Sequence, residues 1–265
     1  MKIHKLQPWL FAISYEGIGG EARQADLITN CYLCVGKTGA LLFDTGFGIM
    51  PLLPAIREIT DLPLDVVLGH GHGDHAGGAA EFARAYIHPA DRELCLRHTS
   101  RTARRNILAI PRNLPPDFNE NDFIHKGCCE LVDLSAGQAF DLGGLIMEII
   151  PMEGHTPGSI GLLAREHGVL LNSDCANDLT WMFLRESLMI ADYAAMLRRT
   201  AALDFDIFYR AHDINPLPKS RFHDYIQCAE NINPENSTPF ALLPELGGRV
   251  YRHGDVGIIF SDMKL

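Results

Sequence analysis

No apolar run in this sequence is long enough to span a bilayer, which excludes a transmembrane helix of ordinary length. The first residues, Met1-Lys2-Ile3-His4-Lys5-Leu6-Gln7-Pro8, lack the apolar core and small-residue cleavage site of a secretory leader. The expected location is therefore the cytoplasm. Positive charge is scarce: 23 Lys and Arg stand against 33 Asp and Glu, for a net charge of −10. Such a field gathers neither nucleic acid nor anionic membrane, so the expected partner is a small-molecule substrate. Cysteine is too sparse and too odd in number, seven in 265 residues, for a disulfide-built scaffold. Internal repeats and low-complexity linkers are missing as well. With 47% hydrophobic residues the chain can fill a large core, and the expectation is one domain over residues 1–265.

Two local features run against this background. Arg97, Arg101, Arg104, Arg105 and Arg112 form a basic run without an acid, read as a solvated helix face, with a patch for an anionic substrate as the sharper alternative. Cys31 and Cys34 form a CxxC, but within an apparent strand, where residues three apart face opposite ways. They read as buried thiols rather than a redox pair or zinc knuckle.

Hydrophobic patterning predicts strands at 9–14, 27–35, 39–43, 64–68, 145–150, 160–164, 169–171, 207–209 and 256–260. Helices are expected at 51–59, 76–85, 192–203 and 220–231, the third capped by Asp192. Residues 97–130, rich in Arg, Pro and Asn, read as helical pieces and loops inserted between core strands, a candidate lid or cap.

The chemistry concentrates in His70-Gly71-His72-Gly73-Asp74-His75, three imidazoles and one carboxylate within six residues. Buried polar groups cost free energy unless each is satisfied, and a cation would satisfy all four. The cluster follows the apolar strand at 64–68. His155, Asp174 and His212 each follow a short apolar strand too, and strand ends in a layered fold can converge on one edge. That makes seven candidate ligands from four loops: His70, His72, Asp74, His75, His155, Asp174 and His212. A tetrahedral zinc takes four positions, so seven donors suit two divalent metals with one bridging carboxylate. The remaining histidines, His98 among them, fit no motif.

On these residues the chain resembles the metallo-β-lactamase superfamily, whose signature is His-x-His-x-Asp-His followed by a distant His, Asp and His. The segment Gly154-His155-Thr156-Pro157-Gly158 and the strand-end Asp174 and His212 stand in family order, and the resemblance covers roughly residues 25–215. It implies an α/β (α+β) fold, a four-layer αββα sandwich with metals on one edge between the sheets. It also implies that His70, His72 and His155 hold a first metal, that Asp74, His75 and His212 hold a second, and that Asp174 bridges them. Asp44, in Leu42-Phe43-Asp44-Thr45-Gly46, matches a family position near the site and is expected to orient a ligand by hydrogen bonding. Asp74 and Asp44 are the carboxylates expected to serve catalysis.

Two cations about 3.5–4 Å apart can share a hydroxide, so the expected activity is hydrolysis of a small ester-like bond: thioester, lactone or carboxylic ester. Imidazole ligands favour Zn2+, with Fe or Mn as alternatives. A dinuclear phosphodiesterase and a mononuclear iron persulfide dioxygenase are the competing readings. His72 stands where the oxygen-reducing di-iron members carry Glu, which argues against that branch. Lactonases carry a Tyr three residues after the bridging Asp; here that position is Asn177, with Tyr193 as a candidate substitute. Trp181, Met182, Phe183 and Leu184 read as core or as the wall of an acyl pocket.

Overall fold

The computed structural model describes residues 1–14, 29–109, 114–135, 137–243 and 246–265. Seven strands form a first sheet in sequential order: β1 (Lys2–Lys5), β2 (Leu10–Ser14), β3 (Asn30–Val35), β4 (Ala40–Phe43), β5 (Leu64–Val67), β6 (Arg84–Ile87) and β7 (Glu130–Asp133). Later strands are β8 (Ala139–Asp141), β9 (Ile146–Pro151), β10 (Ile160–Ala164), β11 (Val169–Leu171), β12 (Leu179–Met182), β13 (Ile207–Arg210), β14 (Asp213–Pro218), β15 (Thr238–Leu243), β16 (Leu246–His253) and β17 (Val256–Phe260). They make a six-stranded sheet, β14-β13-β11-β10-β9-β8, and a four-stranded one, β12-β17-β16-β15. The helices are α1 (Leu53–Arg57), α2 (Gly73–Ala76), α3 (Arg92–His98), α4 (Arg101–Ala109), α5 (Glu120–His125), α6 (Ile190–Ala201) and α7 (Phe222–Glu230). No described helix is long and apolar enough to cross a membrane.

Strand alternation builds the layers. In β3, Tyr32 and Cys34 enter the core between the first two sheets, while Cys31 and Leu33 enter the core under the helices. The CxxC cysteines thus face opposite ways, as the spacing predicts. Strand β4 divides likewise, with Leu41 and Phe43 inward and Ala40 and Leu42 outward. Met147, Ile149, Ile160, Leu162 and Leu171 meet them from the second sheet. Full burial of each such side chain contributes about 1.5–3 kcal/mol. Helices α1, α3 and α5 cover the outer face of the first sheet, and α6 and α7 that of the second, giving the expected four layers. The third sheet is an addition to that plan: its Met182, Ile258 and Phe260 pack into the α6–α7 core.

Strand direction explains why distant residues meet. Strands β9 and β11 both run antiparallel to β10, and β13 runs parallel to β11. All three therefore end on one edge, where His155, Asp174 and His212 follow. In the first sheet, β4 and β5 are parallel and end at Asp44 and His70.

Several expectations need correction. The predicted helix at 76–85 instead covers the last residue of α2, a 3-10 turn at Ala79–Glu81 and the start of β6. Helix propensity is a weak prior, and pairing with β5 and β7 outweighs an alanine-rich run. A Cβ at Gly77 would lie 2.4 Å from Phe47 O, so this turn is pressed against the preceding loop. Helix α6 starts at Ile190 with Met189 as N-cap and no side-chain cap bond; Asp192 lies in the first turn, where the helix dipole favours it. Strands β1, β12, β15 and β16 carry too little alternation to stand out. Part of the predicted 27–35 strand, residues 27–28, lies outside the described residues, as does Arg112. Arg97, Arg101 and Arg105 are exposed, as a solvated face requires, but Arg104 is fully buried and fits neither reading of the basic run.

Candidate metal centre

Helix α2 is built around the motif. His72 is its N-cap, with extended backbone, and Asp74 and His75 lie in its single turn. Gly71 is a steric necessity here: a Cβ on it would lie 2.7 Å from Cys95 N on α3. Three imidazoles converge from two loops. His70 Nε2 is 3.0 Å and His155 Nε2 is 2.9 Å from His72 Nδ1. A tetrahedral zinc with Zn–N about 2.0–2.1 Å separates its nitrogens by roughly 3.3 Å, close to this spacing.

A second group adjoins the first. The ligand atoms of Asp74, His75, Asp174 and His212 lie within 4.8 Å of one another, as do those of His70, His72 and His155. Asp174 touches both groups. Its Oδ2 is 3.4 Å from His75 Nε2 and 3.7 Å from His155 Nε2, and its Oδ1 is 3.0 Å from His212 Nε2. Asp74 Oδ2 lies 3.5 Å from His75 Nε2 and 3.9 Å from His212 Nε2. All seven predicted ligands are thus brought together.

Hydrogen bonds on the far side of three rings fix which nitrogen faces the cluster. His155 Nδ1 donates to Trp181 O at 2.7 Å, leaving Nε2 as the lone pair. His72 is turned the other way, its Nε2 bound to Glu186 Oε1 at 2.7 Å and its Nδ1 facing the cluster. His75 Nδ1 bonds Asp44 Oδ2 at 2.8 Å, and its buried Nε2 has no hydrogen-bond partner. A buried nitrogen lacking a partner between two carboxylates is what a cation would satisfy, so the donor set fits a divalent metal.

Electrostatics divides the groups. Burial, reinforced by the neighbouring imidazoles, pushes His70 well down, and burial likewise takes His155 to about 4, so both present neutral lone pairs. Burial works to lower His212, but Asp174 and Asp74 outweigh it and lift it to about 9. Burial also opposes His75, which Asp44, Asp174 and Asp74 hold well above its ordinary value. Burial works to raise Asp74 and Asp174, yet the charges of His75 and His212 keep both below the usual carboxylate range. The second group thus holds the ionised carboxylates, balanced in the metal-free protein by the charges of His75 and His212.

Asp44 sits behind His75 rather than facing open space. Its Oδ1 accepts from Gly69 N at 2.6 Å, and its Oδ2 accepts from Ser173 Oγ at 2.9 Å besides meeting His75. Its expected part in catalysis is thereby narrowed to positioning. Asp44 and Ser173 both adopt positive φ, 66° and 49°, strain that clusters at functional sites.

Four residues escaped the sequence reading. Glu186 backs His72; burial works to raise it, but the His72 hydrogen bond and charge bring it to about 2. His98 lies with its ring 5.0 Å from that of His72, close enough to group with His72 and Glu186. Ser173 links Asp44 to His75 and His70. Asp91, fully buried, accepts from Gly71 N at 2.8 Å, Thr156 Oγ1 at 2.7 Å and Gly158 N at 2.7 Å, tying the two histidine loops together. No local pattern marks any of them. Asn177 Nδ2 donates to Asp174 Oδ1 at 3.0 Å, whereas Tyr193 is fully buried, its hydroxyl spent on Cys175 O at 2.9 Å. Tyr193 therefore does not supply the missing lactonase-type tyrosine. Trp181 is half-buried beside Phe183, and Met182 is core.

Residues 25–174, more than half the chain, match the metallo-beta-lactamase superfamily. The chain belongs to this superfamily. Within it, acyl-coenzyme A thioesterase MBLAC2 of Gallus gallus is 27% identical over 188 residues, 66% of this chain and 67% of that protein. The atrochrysone carboxyl ACP thioesterase nsrC of Aspergillus novofumigatus is 42% identical over 62 residues, 22% of this chain and 19% of that one. A metallo-beta-lactamase from Pontibacter korlensis superimposes with a TM-score of 0.66 at 16% identity, over 87% of this chain and 99% of that one. The DIM-1 metallo-beta-lactamase gives 0.63 at 12%, over 86% and 96%. At such identity the superpositions speak for the metallo-β-lactamase fold.

Proposed function

We propose that this chain is a dinuclear hydrolase, with zinc as its metal, that cleaves a thioester. The observation that carries the two-metal reading is the position of Asp174, in reach of both histidine groups. When bound, two such cations supply an activated water and polarise a carbonyl oxygen. The chain's own residues do the rest. Ring nitrogens of His70, His72 and His155 form one donor face, and Asp74, His75 and His212 the other. Asp44 and Glu186 hold His75 and His72 in orientation, and the carbonyl of Trp181 does so for His155.

Two thioesterases among the relatives support the thioester over the other ester-like bonds. Asn177 adds to this, since it stands where lactonases carry tyrosine and spends its amide on Asp174. The deciding experiment is a hydrolysis panel of acyl-coenzyme A thioesters, lactones, carboxylic esters, phosphodiesters and β-lactams, beside metal analysis of protein purified without added metal. The expected result is close to two equivalents of zinc and fastest turnover of a thioester. Preferential phosphodiester cleavage, or one iron with oxygen uptake on a persulfide, would overturn the proposal.

A further inference from the structure

Beyond the metal centre, α3 and the residues preceding β7 bring thiols together. Cys95 on α3 is fully buried, and its Sγ lies 3.9 Å from that of Cys128, 33 positions along the chain. Cys128 and its neighbour Cys129 are only partly buried, so reagents can reach them. The two paired cysteines stand at the entrance and exit of the segment that carries α4 and α5.

Arg104, on α4, gives this cluster its charge. It is fully buried, and among the described residues it donates to carbonyls alone: Nε to Thr99 O at 3.2 Å, Nη2 to Gly77 O at 2.7 Å and to Gly127 O at 2.9 Å. Its Nη1 has no hydrogen-bond partner, and no carboxylate among the described residues pairs with it. Guanidinium does not deprotonate in proteins, and an uncompensated buried charge is expensive. The ionisable groups that favour this cation are Cys128 and Cys95. Hydrogen bonds from Cys129 and then Cys95 pull the Cys128 thiol down, while Cys95 and Cys129 are pushed up by the same contacts and by burial. Geometry singles out Cys128: it follows Gly127, whose carbonyl Arg104 holds, and it is the more exposed thiol of the pair. Asp91 opposes ionisation of Cys95, and Lys126 is a second cation near Arg104. Among the described residues the thiols join no group of three donor atoms within 4.8 Å, which separates this pair from a metal site.

We propose that Cys128 is the thiolate counter-charge of Arg104 and that, with Cys95, it forms an oxidisable pair whose disulfide staples the neck of the segment between them. The oxidant is a peroxide. The Cys128 thiolate attacks one peroxide oxygen; the S–O bond forms, the O–O bond breaks, and the leaving hydroxide takes a proton to become water. Cys95 then attacks the sulfenic sulfur, forming S–S and breaking S–O, and its proton leaves with the hydroxide as a second water. Two thiols are oxidised and one peroxide is reduced. The sulfurs must close from 3.9 Å to about 2.05 Å. Because Cys95 N abuts Gly71, between His70 and His72, the staple lies one element away from the metal centre.

The test uses the whole chain treated with hydrogen peroxide, followed by peptide mapping without reductant. A Cys95–Cys128 peptide, two hydrogens lighter and restored by dithiothreitol, is expected. In C95S the same treatment should leave a sulfenic acid at Cys128 that dimedone traps. Iodoacetamide should alkylate Cys128 at pH 6 about ten-fold faster than Cys129, and R104Q should erase that advantage while R104K keeps it. Should R104Q fail to fold, the wild-type alkylation profile decides alone. A Cys128 midpoint near the ordinary thiol value of about 8.5, or peroxide treatment that yields no Cys95–Cys128 peptide, would overturn the proposal.

Discussion

Asp174 is within 4 Å of three imidazoles from three different loops, which makes it the residue on which the two donor groups depend together. Substituting Asp174→Ala should therefore lower metal content at both positions, from close to two equivalents to fewer than one, by elemental analysis. Retention of two metals would remove the shared carboxylate from the account. Glu186 makes a narrower claim. It fixes His72 through the nitrogen opposite the donor, and such backing partners are worth about 10–100-fold in metal affinity. In Glu186→Gln a competitive chelator titration should show one site weakened by that factor and the other unchanged. The seven donors were readable because each is a chemically distinctive residue after a short apolar strand. Glu186, Asp91 and His98 were not, because a lone acid or histidine on a loop has no signature until the fold gives it a neighbour.

At the scale of elements, the centre is a junction of loops held by α2, α3 and the strand ends. Asp91 at the head of α3 accepts from Gly71, Thr156 and Gly158, so one buried carboxylate sets the distance between the His70–His72 loop and the His155 loop. Asp91→Ala would orphan two buried backbone donors. Destabilisation on the order of 3 kcal/mol is expected, read as a lower unfolding midpoint in denaturant, with weaker binding of the first metal. The segment at 97–130 is more than an appendage. Its α5 contributes Phe123 and Ile124 to the core under the first sheet, and Arg104 lies over the Phe123 ring at 5.0 Å. Deleting the whole segment should therefore unfold the protein, as circular dichroism would show. Soluble, folded deletion protein would mean that the insertion is a dispensable cap. The helix expected at 76–85 failed for a related reason: alanine content describes local preference, while β6 exists because β5 and β7 lie on either side of it.

For the molecule as a whole, the balance of charges predicts how the metal-free protein responds to pH. His70 and His155 are held neutral when folded, His155 titrating near 4, whereas an unfolded histidine binds its proton near pH 6.5. Between about 4 and 6.5 the unfolded chain binds more protons, so stability falls as the solution is acidified. His212 has the opposite sign: raised to about 9, its contribution is fully present below about pH 6.5 and is lost as pH climbs through 9. Chelator-treated protein should thus unfold at its highest temperature near pH 6.5 and less stably on both sides. A midpoint that rises steadily from pH 5 to 9 would contradict these assignments. The sequence by itself determined most of the central strands, the seven donors and their order, because alternation, strand-end position and residue chemistry are local properties of a chain; the layered α/β plan was implied by the family resemblance that those donors carry. Only the tertiary structure decided which way the rings of His72, His75 and His155 face, that Asp174 stands between the two groups, that Tyr193 is core, that Arg104 is buried, and that Cys95 meets Cys128. Those facts depend on the directions of β9, β11 and β13 and on the packing of α3 and α4, which join residues far apart in sequence.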